Sequence, residues 1–192
     1  MKPASTRASL AAILFGAILV SSPASAQSWE TYVNRELQFT VSFPSDPAVE
    51  NATYVTERGT VLPARIFSAE DGSAYYKLTV VDFSHVPSEE RGATDHAAET
   101  LMRRGEGYHN RHAYVDGLSG HDLSVEQPDG RRLQAIVYLY GHRLYIAEGM
   151  DEADAPPPSR FIYSLILTHP DGTQLNLDGY NAEEFNAFES EY

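Results

Sequence analysis

The 192-residue chain has no cysteine. This excludes disulfides, thiol nucleophiles and cysteine-ligated zinc. It also excludes a lipid-anchored lipoprotein, which needs a cysteine at its processing site. Basic residues are scarce, at 14 Lys+Arg against 27 Asp+Glu. Such a surface repels phosphate backbones and anionic lipid, so neither nucleic acid nor a membrane surface is an expected partner. Beyond residue 20 no apolar run approaches the roughly 20 residues that a membrane helix needs. Glycine-rich phosphate loops, dinucleotide fingerprints and the H-E-x-x-H metal pattern are missing too, so no cofactor is expected. Carboxylates are too numerous to single out one general acid and one general base.

The N-terminus has a pattern of its own. Lys2 and Arg7 precede the uncharged, almost wholly apolar run Leu10 to Val20, and "SSPASA" follows at Ser21 to Ala26. A positive start, a short apolar core and an A-x-A ending read as a secretory signal peptide, with the mature chain beginning near Gln27. The expected organisation is a signal peptide over 1–26, one domain over 27–180, and an acidic aromatic tail or short helix over 181–192. Removing 1–26 takes away two basic residues and no acid, leaving 12 basic side chains against 27 acidic ones. The expected location is periplasmic or secreted, with no stable membrane insertion after cleavage.

Strand signals dominate the rest. In "LQFTVSF", Leu37, Phe39, Val41 and Phe43 point one way and Gln38, Thr40 and Ser42 the other, the period of a half-buried strand. Pro44 and Pro47 stop it. "WETYV" before it puts Trp29, Thr31 and Val33 on one side of a strand. Further strands are expected at Tyr54 to Thr56, Val61 to Ser68, Ala74 to Phe83, Leu123 to Glu126, Leu133 to Tyr140 and Arg143 to Met150. Gly141-His142 fits a two-residue hairpin loop with glycine first. Ala93, Ala97 and Leu101, spaced by four, predict an amphipathic helix closed by Arg103, Arg104 and Gly105. Phe161 to Leu167 reads either as a short helix leading into a strand or as a strand throughout. Asn181 with Glu184 forms a capping-box pattern for a terminal helix carrying Phe185, Phe188 and Tyr192 on one face. The predicted class is α+β, an antiparallel sheet with helices packed on it.

The order of these segments resembles a known family. "WETY", the strand ending F-P-x-x-P at Phe43 to Pro47, the helix Ala93 to Arg104, the glycine-led strand Gly117 to Val125, "RLY" at Arg143 to Tyr145 and "FIYSLIL" at Phe161 to Leu167 are similar to the PsbP-like family. These are small exported domains that include PsbP and DcrB-type periplasmic proteins. The resemblance implies an exported, non-catalytic binding or accessory protein, whose partner, a protein or a small ligand, it does not name. The hairpin-like "THPDGTQLNL" and the acidic aromatic tail depart from the family pattern.

Three groups are candidates for chemistry. "GLSGHD" brings Ser119, His121 and Asp122 into one stretch, as a hydrolase would need. Position 121 is not the glycine of a nucleophile elbow, and neighbouring strand residues point to opposite faces. The plainer reading is a glycine-rich turn entering a strand. "HNRH" spaces His109 and His112 by three, the candidate metal pair, although Gly105, Gly107 and Asn110 favour loop or strand there. Tyr75, Tyr76, Tyr138, Tyr140 and Tyr145, among 12 tyrosines, form either a recognition platform or ordinary half-buried sheet. Catalysis requires Ser, His and carboxylate side chains to converge in one pocket, and a binding module does not.

Overall fold

A computed structural model describes residues 29–115 and 118–175, and for 108–115 and 119 the backbone alone. The strands are β1 (Glu30–Asn34), β2 (Phe39–Phe43), β3 (Ala48–Val55), β4 (Val61–Asp71) and β5 (Ala74–Asp82), followed by helix α1 (Ala93–Met102). Then come β6 (Glu106–Val115), β7 (Leu118–Glu126), β8 (Arg132–Tyr140), β9 (Arg143–Asp151), the one-turn helix α2 (Ser159–Ile162) and β10 (Ile166–Leu167). They form a seven-stranded sheet, in the order β3-β4-β5-β9-β8-β7-β6, and a three-stranded sheet, β1-β2-β10. Every pairing is antiparallel.

The alternation in β2 sets its register. Phe39, Val41 and Phe43 are buried, whereas Thr40 and Ser42 are half-buried. Phe39 meets Phe67 of β4 edge to face at 5.1 Å, and Phe43 lies 5.0 Å from Phe161 of α2. β1 has the expected parity, but Tyr32 faces inward, against Phe39, Phe43 and Phe67, while Thr31 and Val33 face out. Trp29, just before the strand, still packs edge-on against Tyr76.

The large sheet is covered on both faces, so its central strands read as continuous apolar runs. Tyr76, Leu78 and Val80 of β5 face the small sheet and α2. Val81 faces α1, with Leu123, Val125, Val137, Leu144 and Ile146 from the neighbouring strands. α1 buries Ala93, Ala97, Ala98 and Leu101, the expected stripe. Alanine lets the helix axis approach the sheet closely.

The α+β expectation is corrected. The described residues are 51% strand and 12% helix, a β-rich fold of two sheets with two helices. A sheet, where helices were expected, supplies most of the cover on one face, and α1 is the one long helix among the described residues. Phe161 to Leu167 takes the first of its two readings, with α2 leading into β10. The Gly141-His142 loop closes β8 on β9 with Tyr140 opposite Arg143. Its φ angles of 54° and 63° are both positive, as a type I′ turn requires. The signal peptide and the terminal helix lie outside the described residues.

Candidate functional site

β7 separates the residues of "GLSGHD". His121 is buried beneath α1, with Nε2 2.8 Å from Asp95 Oδ1. Asp122 belongs to the other face, where it accepts a 3.0 Å hydrogen bond from the Tyr163 hydroxyl. Gln134 Nε2 donates to that hydroxyl at 3.0 Å, and Ser159 Oγ donates to Gln134 Oε1 at 3.0 Å. This chain of contacts ties α2 and the residue after it to the sheet. Histidine and aspartate therefore sit on opposite faces of the strand and share no pocket. Ser119 lies across from Tyr114 in the register, and its side chain is outside the described residues. Gly120 has a packing reason: a Cβ there would come within 2.5 Å of Tyr138 Cδ1.

The metal candidates lie in β6, a strand as the glycines around them indicated. His109 is across from Ser124 and His112 across from His121. Their side chains are outside the described residues. Among the described residues, no group of three or more His, Asp or Glu side chains is placed to hold a metal ion.

The tyrosines divide. Tyr76, Tyr138 and Tyr145 are buried in the core; Tyr75 and Tyr140 are half-buried. Tyr145 donates to Leu37 O at 2.9 Å, and burial pushes its pKa up to about 12. Tyr54 is also pushed up to about 12 by burial, and its hydroxyl has no hydrogen-bond partner among the described residues. Tyr76, Tyr138 and Tyr145 are thus core residues, and Tyr75 and Tyr140 stand at the margin of the core.

The most buried charge is Glu148 of β9. Lys77 of β5 reaches it at 2.7 Å, and Arg104, just beyond α1, binds its other oxygen. Two cations on one carboxylate offset its desolvation and pin the end of α1 to the sheet, which is structural work. Two adjoining open clefts, of about 360 and 420 Å³, lie between the β7–β8 turn and Glu152–Ala153. Their arginines are engaged locally: Arg131 Nε donates to Asp129 at 2.7 Å, and Arg132 donates to Ala153 O.

The most accessible apolar feature is the β3–β4 hairpin. β3 is an edge of the large sheet, eight residues long, with Glu50 its one charge. Val49, Val55 and Val61 are 45%, 55% and 61% exposed. The register puts Val55 opposite Val61, Thr53 opposite Pro63 and Val49 opposite Phe67, so the three valines share a face. The hairpin projects past the sheet, because β4–β5 pairing reaches only to Ala64–Val81. Pro63 therefore lies where β4 has β3 as its single neighbour. Glu89 braces the tip, accepting from Thr56 Oγ1 at 2.5 Å and Thr60 Oγ1 at 2.7 Å. Sequence periodicity reached only the end of β3, because "AVENA" buries neither face. The available signal was the reverse one, valines at Val49 and Val55 without a core to enter.

Among the described residues, no helix is long and apolar enough to cross a membrane. No protein-family model matches the chain, and no curated protein matches it.

Proposed function

We propose that this is an exported, non-catalytic binding or accessory protein, and that β3 receives an extended segment of a partner protein as an added strand. The single observation that carries the reading is the unguarded edge. Sheet edges are ordinarily protected by lysine, proline, bulges or short length. β3 has none of these over eight residues, and it offers exposed valines on one face. Strand addition supplies backbone hydrogen bonds worth about 0.5–1.5 kcal/mol each, and alternate side chains supply specificity. The secretory pattern over 1–26 and the ordered resemblance to PsbP-like domains support the exported, accessory part of the proposal.

The test is affinity purification of the exported chain beside a Val49→Lys/Val55→Lys variant. Both positions are solvent-exposed, so the variant keeps its unfolding midpoint, and lysine on the edge blocks strand addition. The expected outcome is a partner recovered with the parent chain and lost with the variant. Equal recovery from both would overturn the assignment of the edge.

A further inference from the structure

β3 has a hydrogen-bonding phase as well as a free edge. At the hairpin tip, Thr56 N–H donates to Thr60 O at 2.9 Å. Along an antiparallel ladder, hydrogen-bonded and non-hydrogen-bonded pairs alternate. Back from Thr56–Thr60, Val55–Val61 is therefore non-hydrogen-bonded, Tyr54–Leu62 hydrogen-bonded and Thr53–Pro63 non-hydrogen-bonded. Pro63 has no N–H, and it falls where β3 asks for no donor. The N–H and C=O groups of Val49, Asn51, Thr53 and Val55 thus point away from β4, at the free edge. Their side chains are exposed on one face, whereas Ala52 and Tyr54 are half-buried on the other.

This phase restricts how a second β3 can be added. Two copies about a two-fold axis pair reciprocally, residue i with j and j with i. Outward groups must meet outward groups, so a slip of one residue is forbidden. One register uses all four: Val49 with Val55 and Asn51 with Thr53, each in both directions, with Ala52 facing its own copy on the axis. It closes about eight backbone hydrogen bonds. Valine meets valine at both ends, and the small alanine sits at the centre. A slip of two residues leaves Val49 or Val55 opposite no strand residue.

The same register manages charge. Glu50, the one charge in β3, falls opposite Tyr54 of the second copy and not opposite Glu50. Asp46 before the strand and Glu57 and Arg58 in the tip are exposed nearby. Arg65, behind Asn51 on β4, is paired with Glu36 at 3.3 Å. Acids outnumber bases among these, and a chain with 14 Lys+Arg and 27 Asp+Glu repels its own kind. Backbone hydrogen bonds and valine contact, not charge, must therefore hold the pair together.

We propose that β3 pairs with β3 of a second copy in this register, joining two seven-stranded sheets edge to edge, which rests on the reading of β3 as an edge that accepts a strand and names that strand. One strand from each side makes a small interface, so the dimer dissociates on dilution. The chain has no cysteine, so single thiols report the register. Ala52→Cys puts a thiol on the axis, where a non-hydrogen-bonded pair has Cα atoms roughly 4.5 Å apart, inside the roughly 4.4–6.8 Å that a disulfide spans. On mild oxidation of the purified full chain, a disulfide-linked dimer is expected about tenfold faster or more from Ala52→Cys than from Asn51→Cys, Thr53→Cys or Val61→Cys alone. Mixing the Asn51→Cys and Thr53→Cys chains restores fast linking. Both positions are exposed, so the test stands even if Ala52→Cys disturbs folding. Adding Val49→Lys/Val55→Lys abolishes fast linking. Sedimentation of the unmodified chain is expected to show a monomer–dimer equilibrium that strengthens with salt, as the screening length falls from about 10 Å at 0.1 M to about 3 Å at 1 M. Equal linking rates at all positions, or a dimer that weakens with salt, would overturn the proposal. A chain that stays monomeric, yet binds another protein that the lysine variant loses, would overturn the second copy and leave the edge reading standing. A chain that stays monomeric and shows no such loss would overturn both.

Discussion

Two tyrosines, alike in composition and in the direction of their titration, have opposite consequences. Tyr145 is buried and donates to Leu37 O across the interface between the sheets. Tyr54 sits between Phe83 and His96 with a buried hydroxyl that donates to nothing among the described residues. A buried polar group without a partner costs about 1–3 kcal/mol, and removing it from an apolar setting is neutral or favourable. Tyr145→Phe leaves the Leu37 carbonyl without this donor and is expected to lower stability by about 1–3 kcal/mol. Tyr54→Phe is expected to be neutral or to raise stability by up to about 1 kcal/mol. Urea unfolding of the two variants checks the pair, and equal losses would show that Tyr54 has found a partner.

At the scale of elements, β2 joins sequence to packing most tightly. Phe39→Ala and Phe43→Ala should each cost about 3–5 kcal/mol, as buried aromatics do. Thr40→Ala and Ser42→Ala, on the half-buried outer face, should cost under about 1 kcal/mol. Denaturant midpoints that failed to separate the two sets would mean the register is shifted by one residue. The β3–β4 hairpin depends instead on one carboxylate. The hydroxyls of Thr56 and Thr60 hold the Glu89 carboxyl below the usual glutamate range. A carboxyl with a depressed pKa contributes fully above its ordinary pKa, and the contribution is lost as pH falls through the depressed value. Acid therefore loosens the tip, and Glu89→Gln imitates that state at neutral pH. Faster tryptic cleavage at Arg58, which lies in the tip, is the expected sign; an unchanged rate would show that Glu89 is not the brace.

The elements that sequence revealed are those specified by local pattern. β2 alternates against a core, α1 repeats alanine and leucine every fourth residue, and Gly141 marks a turn with positive φ. Sheet membership is not local: β1 and β2 form a hairpin, but β10 joins β2 through pairings between residues more than a hundred positions apart, such as Phe39 with Leu167. Sequence pattern points to α+β for that reason, whereas the cover expected from helices comes largely from this second sheet. In the candidate chemistry, strand parity alone predicted that Ser119, His121 and Asp122 could not meet as a triad by themselves. What His121 and Asp122 do instead, joining Asp95 of α1 and Tyr163 after α2, depends on elements distant in the chain. The β3 edge escaped notice because an exposed strand leaves no hydrophobic period.

Across the whole molecule, the arrangement separates stability from recognition. The central strands of the large sheet commit both faces to the core; His121 and Glu148 hold α1 and its end, and Asp122 holds Tyr163 after α2. The interior strands have their hydrogen bonds filled by neighbours, leaving recognition to edges and outer faces. Partner recognition is proposed to run along β3. The most direct test places a photo-crosslinking amino acid at Val55 in the full chain, with a second at exposed Asp154 on the β9–α2 linker as control. The expected result is a discrete partner adduct from position 55 that disappears when Val49 is also changed to Lys, and no such adduct from position 154. An adduct from position 154 with none from position 55 would contradict it.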